Sequence, residues 1–204
     1  MSPSVLVALL AAEGVAAMRE PRSVTAHPDG RLAADESVTG LLYPGSFNPL
    51  HDGHRALAAA ASTIAAVPVT YELAVLNVDK PPLDLDELRR RIAPFRREPW
   101  PLALTTAPTF VEKARLFPGV TFVIGWDTAV RLVHARYYSD SEHAMLDALA
   151  EMGALGCHFL VAGRVVDGRF RRLGEAEIPP RFIDLFTEIP ESRFRVDMSS
   201  TELR

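Results

Sequence analysis

A chain of 204 residues is comfortable for one domain and short for two. Hydrophobic residues make up 48% and charged residues 24%, near the globular average, which excludes disordered, collagen-like and low-complexity classes. A net charge of −4 excludes a broad electrostatic grip on nucleic acid, because that grip needs a basic surface.

Residues 4–18 carry apolar residues at helical spacing behind Ser4 and predict a helix. Their apolar core, 5–12, is cut by Glu13, far short of the roughly 20 residues of a membrane span. The first basic residue is Arg19, where a signal peptide has its basic residues ahead of the apolar run. The expectation is a protein with no membrane segment, cytoplasmic, and the lone Cys157 suits a reducing compartment while excluding an internal disulfide. Residues 23–32 hold the turn His27-Pro28-Asp29-Gly30 between two short extended pieces. Residues 1–37 thus read as an N-terminal helix plus hairpin extension, and 38–204 as the main domain.

From residue 38 strands alternate with helices. Strands are expected at 38–43, 71–78, 102–105, 120–124 and 157–162, with a last short one at 193–196. Helices are expected at 54–66, 84–92, 110–117, 141–152 and, briefly, 180–186. Residues 84–92 begin acidic and end on Arg89-Arg90-Arg91, the charge order that a helix dipole favours. This alternation predicts an α/β fold, a Rossmann-like parallel sheet with helices on both faces. Ligands of such sheets bind outside the carboxyl ends of the strands, so the loops starting at Pro44, Asp79, Thr105, Gly125 and Gly163 come first.

The loop after the first strand of the main domain is Gly45-Ser46-Phe47-Asn48-Pro49-Leu50-His51-Asp52-Gly53-His54, running into a helix. Glycines let the backbone approach an anion, and a helix N-terminus adds partial positive charge. His51 and His54 are three apart, so a helix starting near His51 puts both rings on one side. Two imidazoles there can donate to phosphate oxygens and stabilise charge during phosphoryl transfer, with Gly53 leaving room between them. A glycine-rich turn with two capping histidines fits the same letters. Neither a Walker A pattern nor G-x-G-x-x-G occurs in the chain.

GSFNPLHDGH closely resembles the G-S-F-N-P-x-H-x-G-H signature of the nucleotidyltransferase superfamily, most closely its nicotinamide and nicotinate mononucleotide adenylyltransferases. Met198-Ser199-Ser200-Thr201-Glu202-Leu203-Arg204 resembles that family's I-S-S-T-x-I-R signature, with Met198 and Leu203 in place of isoleucines; alone it also reads as a helix N-cap. Gly125-Trp126-Asp127 is similar to the family's G-x-D element, which implies a ribose-holding Asp127, although an N-cap Asp fits too, and Trp126 either stacks on a base or packs. Lys80 matches a basic position near the substrate phosphate, Thr106 a stretch lining the pyridine pocket, and Arg164 a position from which the triphosphate is reached; a solvated lysine and a surface arginine are the plain alternatives.

The resemblance implies in-line attack of a mononucleotide phosphate on the α-phosphorus of ATP with release of pyrophosphate. His54 would contact the α-phosphate, His51 would assist, and Gly45, Ser46, Phe47, Asn48, Gly53, Ser199, Ser200, Thr201 and Arg204 would hold ATP. Mg2+ would arrive with ATP, since the sequence holds no dense carboxylate cluster and no protein metal site is expected. Partners would be ATP and a small phosphorylated acceptor, with homo-oligomerisation left open. A cytidylyl or other nucleotidyltransferase, or a catalytically silent nucleotide sensor, are the alternatives.

Overall fold

The apolar runs of the sequence become the middle of one eight-stranded sheet. The structure, a computed structural model, describes residues 22–76 and 85–195. In chain order the strands are β1 (Ser23–Ala26), β2 (Leu32–Ala34), β3 (Leu41–Pro44), β4 (Val69–Ala74), β5 (Leu102–Thr105), β6 (Thr121–Gly125), β7 (His158–Ala162), β8 (Arg164–Val166), β9 (Arg169–Arg171) and β10 (Phe186–Ile189). The α-helices among the described residues are α1 (Asp52–Ala65), α2 (Leu85–Ile92), α3 (Phe110–Leu116), α4 (Trp126–Leu132) and α5 (Glu142–Ala154). The helix expected at 4–18 lies outside the described residues.

The sheet order is β10-β7-β6-β3-β4-β5-β1-β2. Strands β10 through β5 run parallel, as βαβ crossovers require, while β1 joins β5 antiparallel and β2 forms the edge. The turn expected at His27–Gly30 joins β1 to β2, closed by a bond from Gly30 N to His27 O of 2.9 Å. The Asp167-Gly168 turn joins β8 to β9 with both residues at positive φ, the geometry of a two-residue hairpin.

Successive strand residues enter opposite layers, as the pleat dictates. On one face Leu41, Tyr43, Tyr71, Leu73, Leu102, Leu104 and Val123 meet Leu57, Ala58 and Ala61 of α1 and Leu88 and Ile92 of α2. On the other face Leu42, Ala103, Phe122, Ile124, Phe159, Val161 and Phe186 meet Ala114 of α3, Ala129 and Leu132 of α4, and Leu149 and Met152 of α5. Helices therefore cover both faces, as the alternation predicts. Short polar caps set where they start: Thr109 and Glu112 form a capping box on α3, and the Ser141 side chain accepts from Ala144 N on α5.

The last strand falls elsewhere than expected. It is β10, at Phe186–Ile189, paired parallel to β7, and residues 193–195 form a turn and coil. A 3-10 segment, Pro180–Leu185, ends just before Phe186, so the apolar residues of two elements run together in the sequence. Among the described residues no helix is long and apolar enough to cross a membrane.

Phe159 is fully buried, with its ring stacked between Phe122 (5.5 Å between centroids) and Phe186 (4.8 Å). Phe159→Ala is expected to cost about 3–5 kcal/mol of stability, read by urea denaturation; a cost below about 1 kcal/mol would contradict this packing.

Candidate functional site

The chain order of the strands creates one reversal. From β3 it steps through α1 to β4 and through α2 to β5, with both helices on one face. It then crosses back through α3 to β6 and on through α4 and α5 to β7, with these helices on the other face. The loops leaving neighbouring strands β3 and β6 thus diverge to opposite faces, the switch point at which open α/β sheets bind ligands. The loop 45–51 and the Gly125-Trp126-Asp127 turn stand at this point.

An aromatic ring shapes the β3 loop. Phe47 has a positive φ of 42° and is fully buried, its ring edge-on to Tyr43, Tyr71, Phe95 and His54 at 5.1–5.6 Å. A Cβ at position 45 would stand 2.6–3.0 Å from three atoms of this ring. Gly45 is therefore required by Phe47, and the space left by its missing side chain is filled by protein rather than open to an anion. Gly45 N donates to Glu72 O at 2.9 Å, which ties the loop to β4.

His51 is the N-cap of α1. Its Nδ1 accepts from Gly53 N at 3.1 Å, and His54 Nδ1 accepts from His51 N at 3.2 Å, a capping box made of two histidines. Because each Nδ1 receives a backbone N–H, it carries no proton, so each neutral ring is protonated on Nε2. The ring centroids are 3.7 Å apart. Burial, then the neighbouring His51 and Arg55, pushes the His54 pKa down to about 3, and burial lowers that of His51. At neutral pH the pair offers hydrogen-bond donors, not cations.

Across the switch point, Arg164 at the start of β8 forms an ion pair with Asp127 in the first turn of α4. Asp127 does not cap α4: Gly125 is the N-cap, with no side-chain bond. Arg164 is thus held at Asp127, and these two expected site residues come together at the ends of β6 and β7. The Trp126 ring packs against the α3–α5 layer, and its buried Nε1 has no partner among the described residues. Thr106 is two strands away from β3, at the end of β5, and its Oγ1 accepts from Arg22 N at 2.8 Å. Ser46 and Asn48 lie in the β3 loop with His51. Lys80, Ser199, Ser200, Thr201 and Arg204 lie outside the described residues.

Three groups near the site are not marked by the motifs. Glu72 of β4 is buried and accepts from Lys113 Nζ at 2.8 Å and from the Thr105 hydroxyl, and Lys113 Nζ also donates to Ala107 O at 2.6 Å. The same Glu72 holds the β3 loop through its carbonyl, so one residue links the loops after β3 and β5. A glutamate inside the apolar run YELAV, in a chain with only two lysines, is the sequence signal for this pair. The third group is Arg91, whose Nη1 donates to Ser46 O at 3.1 Å. Among the described residues no group of three or more His, Cys, Asp or Glu could hold a metal ion.

No protein-family model and no curated protein sequence matches this chain.

Removing one buried charge strands the other. Lys113→Met is expected to cost about 3–5 kcal/mol, and Glu72→Leu with Lys113→Met distinctly less; equal losses in urea denaturation would contradict the pairing. Between about 3 and the ordinary 6.5 the unfolded chain binds a proton at His54 that the folded chain refuses, so stability falls as pH drops through that window. His54→Gln keeps an acceptor at the third helical position and removes the titration. Its stability is expected to fall less than that of the unchanged protein over the same pH interval; parallel losses would contradict the depressed histidine.

Proposed function

We propose that this chain is a nucleotidyltransferase that moves an adenylyl group from MgATP to a small phosphorylated acceptor, nicotinamide or nicotinate mononucleotide, with release of pyrophosphate. The observation that carries the reading is the paired, neutral, Nε2-protonated histidines at the N-terminus of α1, set at the switch point of a parallel sheet. The resemblance of residues 45–54 to the superfamily signature supports it.

An oxygen of the acceptor phosphate attacks the α-phosphorus in line and forms the new P–O bond. The bond from that phosphorus to the bridging α,β-oxygen breaks, and its electron pair leaves with pyrophosphate. No residue of the chain becomes covalently attached. Donors fixed before the substrate arrives need no reorganisation as charge shifts onto the α-phosphate oxygens, and His54 Nε2–H is such a donor. Its partner ring and the buried Phe47 ring restrict its motion, at centroid distances of 3.7 and 5.1 Å. Mg2+ enters as part of the nucleotide substrate.

The test is pyrophosphate release from each nucleoside triphosphate over a panel of mononucleotide acceptors. ATP with a pyridine mononucleotide is expected to turn over, and His54→Ala to lower the rate by about 10²–10³. Near-normal turnover in that variant would sink the assignment. ATP binding with no turnover on any acceptor points instead to a nucleotide sensor.

A further inference from the structure

A site for polyphosphate needs cationic charge, and the histidine pair, neutral at ordinary pH, does not supply it. Arg55, next along α1, is engaged by two carboxylates, Glu98 at 2.9 Å and Asp52 at 3.0 Å. Among the described residues, a guanidinium of α2 turns inward at the loop. Of the three consecutive arginines of α2, Arg89 and Arg90 have side chains 48% and 70% exposed, whereas that of Arg91 is 14% exposed. Arg91 Nε donates to Glu87 at 2.6 Å and Nη1 to the Ser46 carbonyl at 3.1 Å. Glu87 also pairs with Arg90, so one carboxylate serves two guanidiniums and positive charge is left over. The other three N–H groups of Arg91 have no partner among the described residues.

These N–H groups are not among the buried atoms that lack a partner, so they open to solvent while most of the side chain is covered, and an anion arriving there would meet a guanidinium already held in place. The Ser46 carbonyl adds a second argument. A carbonyl oxygen beside an anion repels it, and Arg91 covers this one with positive charge. We propose that Arg91 is a phosphate-binding residue of the candidate site, its outer N–H groups serving one nucleotide phosphate while the Ser46 bond fixes the guanidinium to the loop. This rests on the reading of the site as nucleotide-binding and adds to it a ligand outside the motif. The phosphate belongs either to the triphosphate or to the monoester acceptor, and the two have the same chemistry toward arginine.

Titration calorimetry near neutral pH on the full chain, on Arg91→Met and on Arg91→Lys separates the two sources. The probes are MgATP, nicotinamide mononucleotide and inorganic pyrophosphate. Arg91→Met is expected to weaken one of the two nucleotides by about tenfold or more and to leave the other within roughly twofold. Arg91→Lys is expected to recover only part of the loss, because an ammonium cannot hold the carbonyl and a phosphate with the geometry of a planar fork. Both nucleotides staying within roughly twofold in Arg91→Met would overturn the proposal. Equal weakening of both that Arg91→Lys fully restores, together with a lowered and restored Tm, would overturn it in favour of a mere brace. If the unchanged protein binds neither nucleotide, the proposed function fails. Pyrophosphate binding that Arg91→Met abolishes would then still uphold the phosphate role of Arg91, and its absence would overturn that role as well.

Discussion

Two backbone N–H groups aimed into imidazole rings govern this site. Gly53 N and His51 N are donors that a helix N-terminus leaves without intrahelical partners, and the chain satisfies them with His51 Nδ1 and His54 Nδ1. The same two bonds that start α1 decide which ring nitrogen keeps its proton. The structural solution and the chemical one are therefore the same arrangement: capping the helix turns the outer edge of each ring into a donor. The glycine-rich turn with capping histidines is the geometry observed, and it leaves the proposed phosphate role of the loop open rather than competing with it.

What holds that arrangement in register is packing. Phe47 enters the core beneath His54, and Gly45 has no side chain because the Phe47 ring occupies its place. Beyond the loop, Glu72 bonds Gly45 through its carbonyl and Lys113 through its carboxylate. A buried ion pair contributes little net stability against an apolar alternative, and here it joins the loops after β3 and β5.

Much of the fold was legible because its signals are local. Periodicity placed the parallel strands β3 to β7 and most of the helices covering them, and the His27–Gly30 turn placed the β1–β2 hairpin; the short β8–β9 hairpin and α4 were not expected. The strand at 186–189 was not legible, because the preceding 3-10 segment shares its apolar character and only pairing with β7 separates them. At the site, residues 45–54 identify themselves as a loop with two histidines on one side. Their tautomers, and the reason for Gly45, depend on distances of a few ångströms that no spacing encodes. Arg91 was hidden in a run of three arginines that reads as the charge order a helix dipole favours, and its inward turn is a tertiary fact. Asp127 and Arg164 were each readable as ligands for a substrate, and their pairing with each other across 37 residues is a tertiary fact that spacing does not show.

Backbone donors fix both histidines as neutral rings protonated on Nε2. Nitrogen-detected NMR of the histidine side chains near neutral pH tests it directly, because protonated and unprotonated ring nitrogens resonate far apart. Both His51 and His54 are expected to show an unprotonated Nδ1 and a protonated Nε2 in the protein without substrate. A proton on Nδ1 of either ring, as the other tautomer or as an imidazolium, would contradict it.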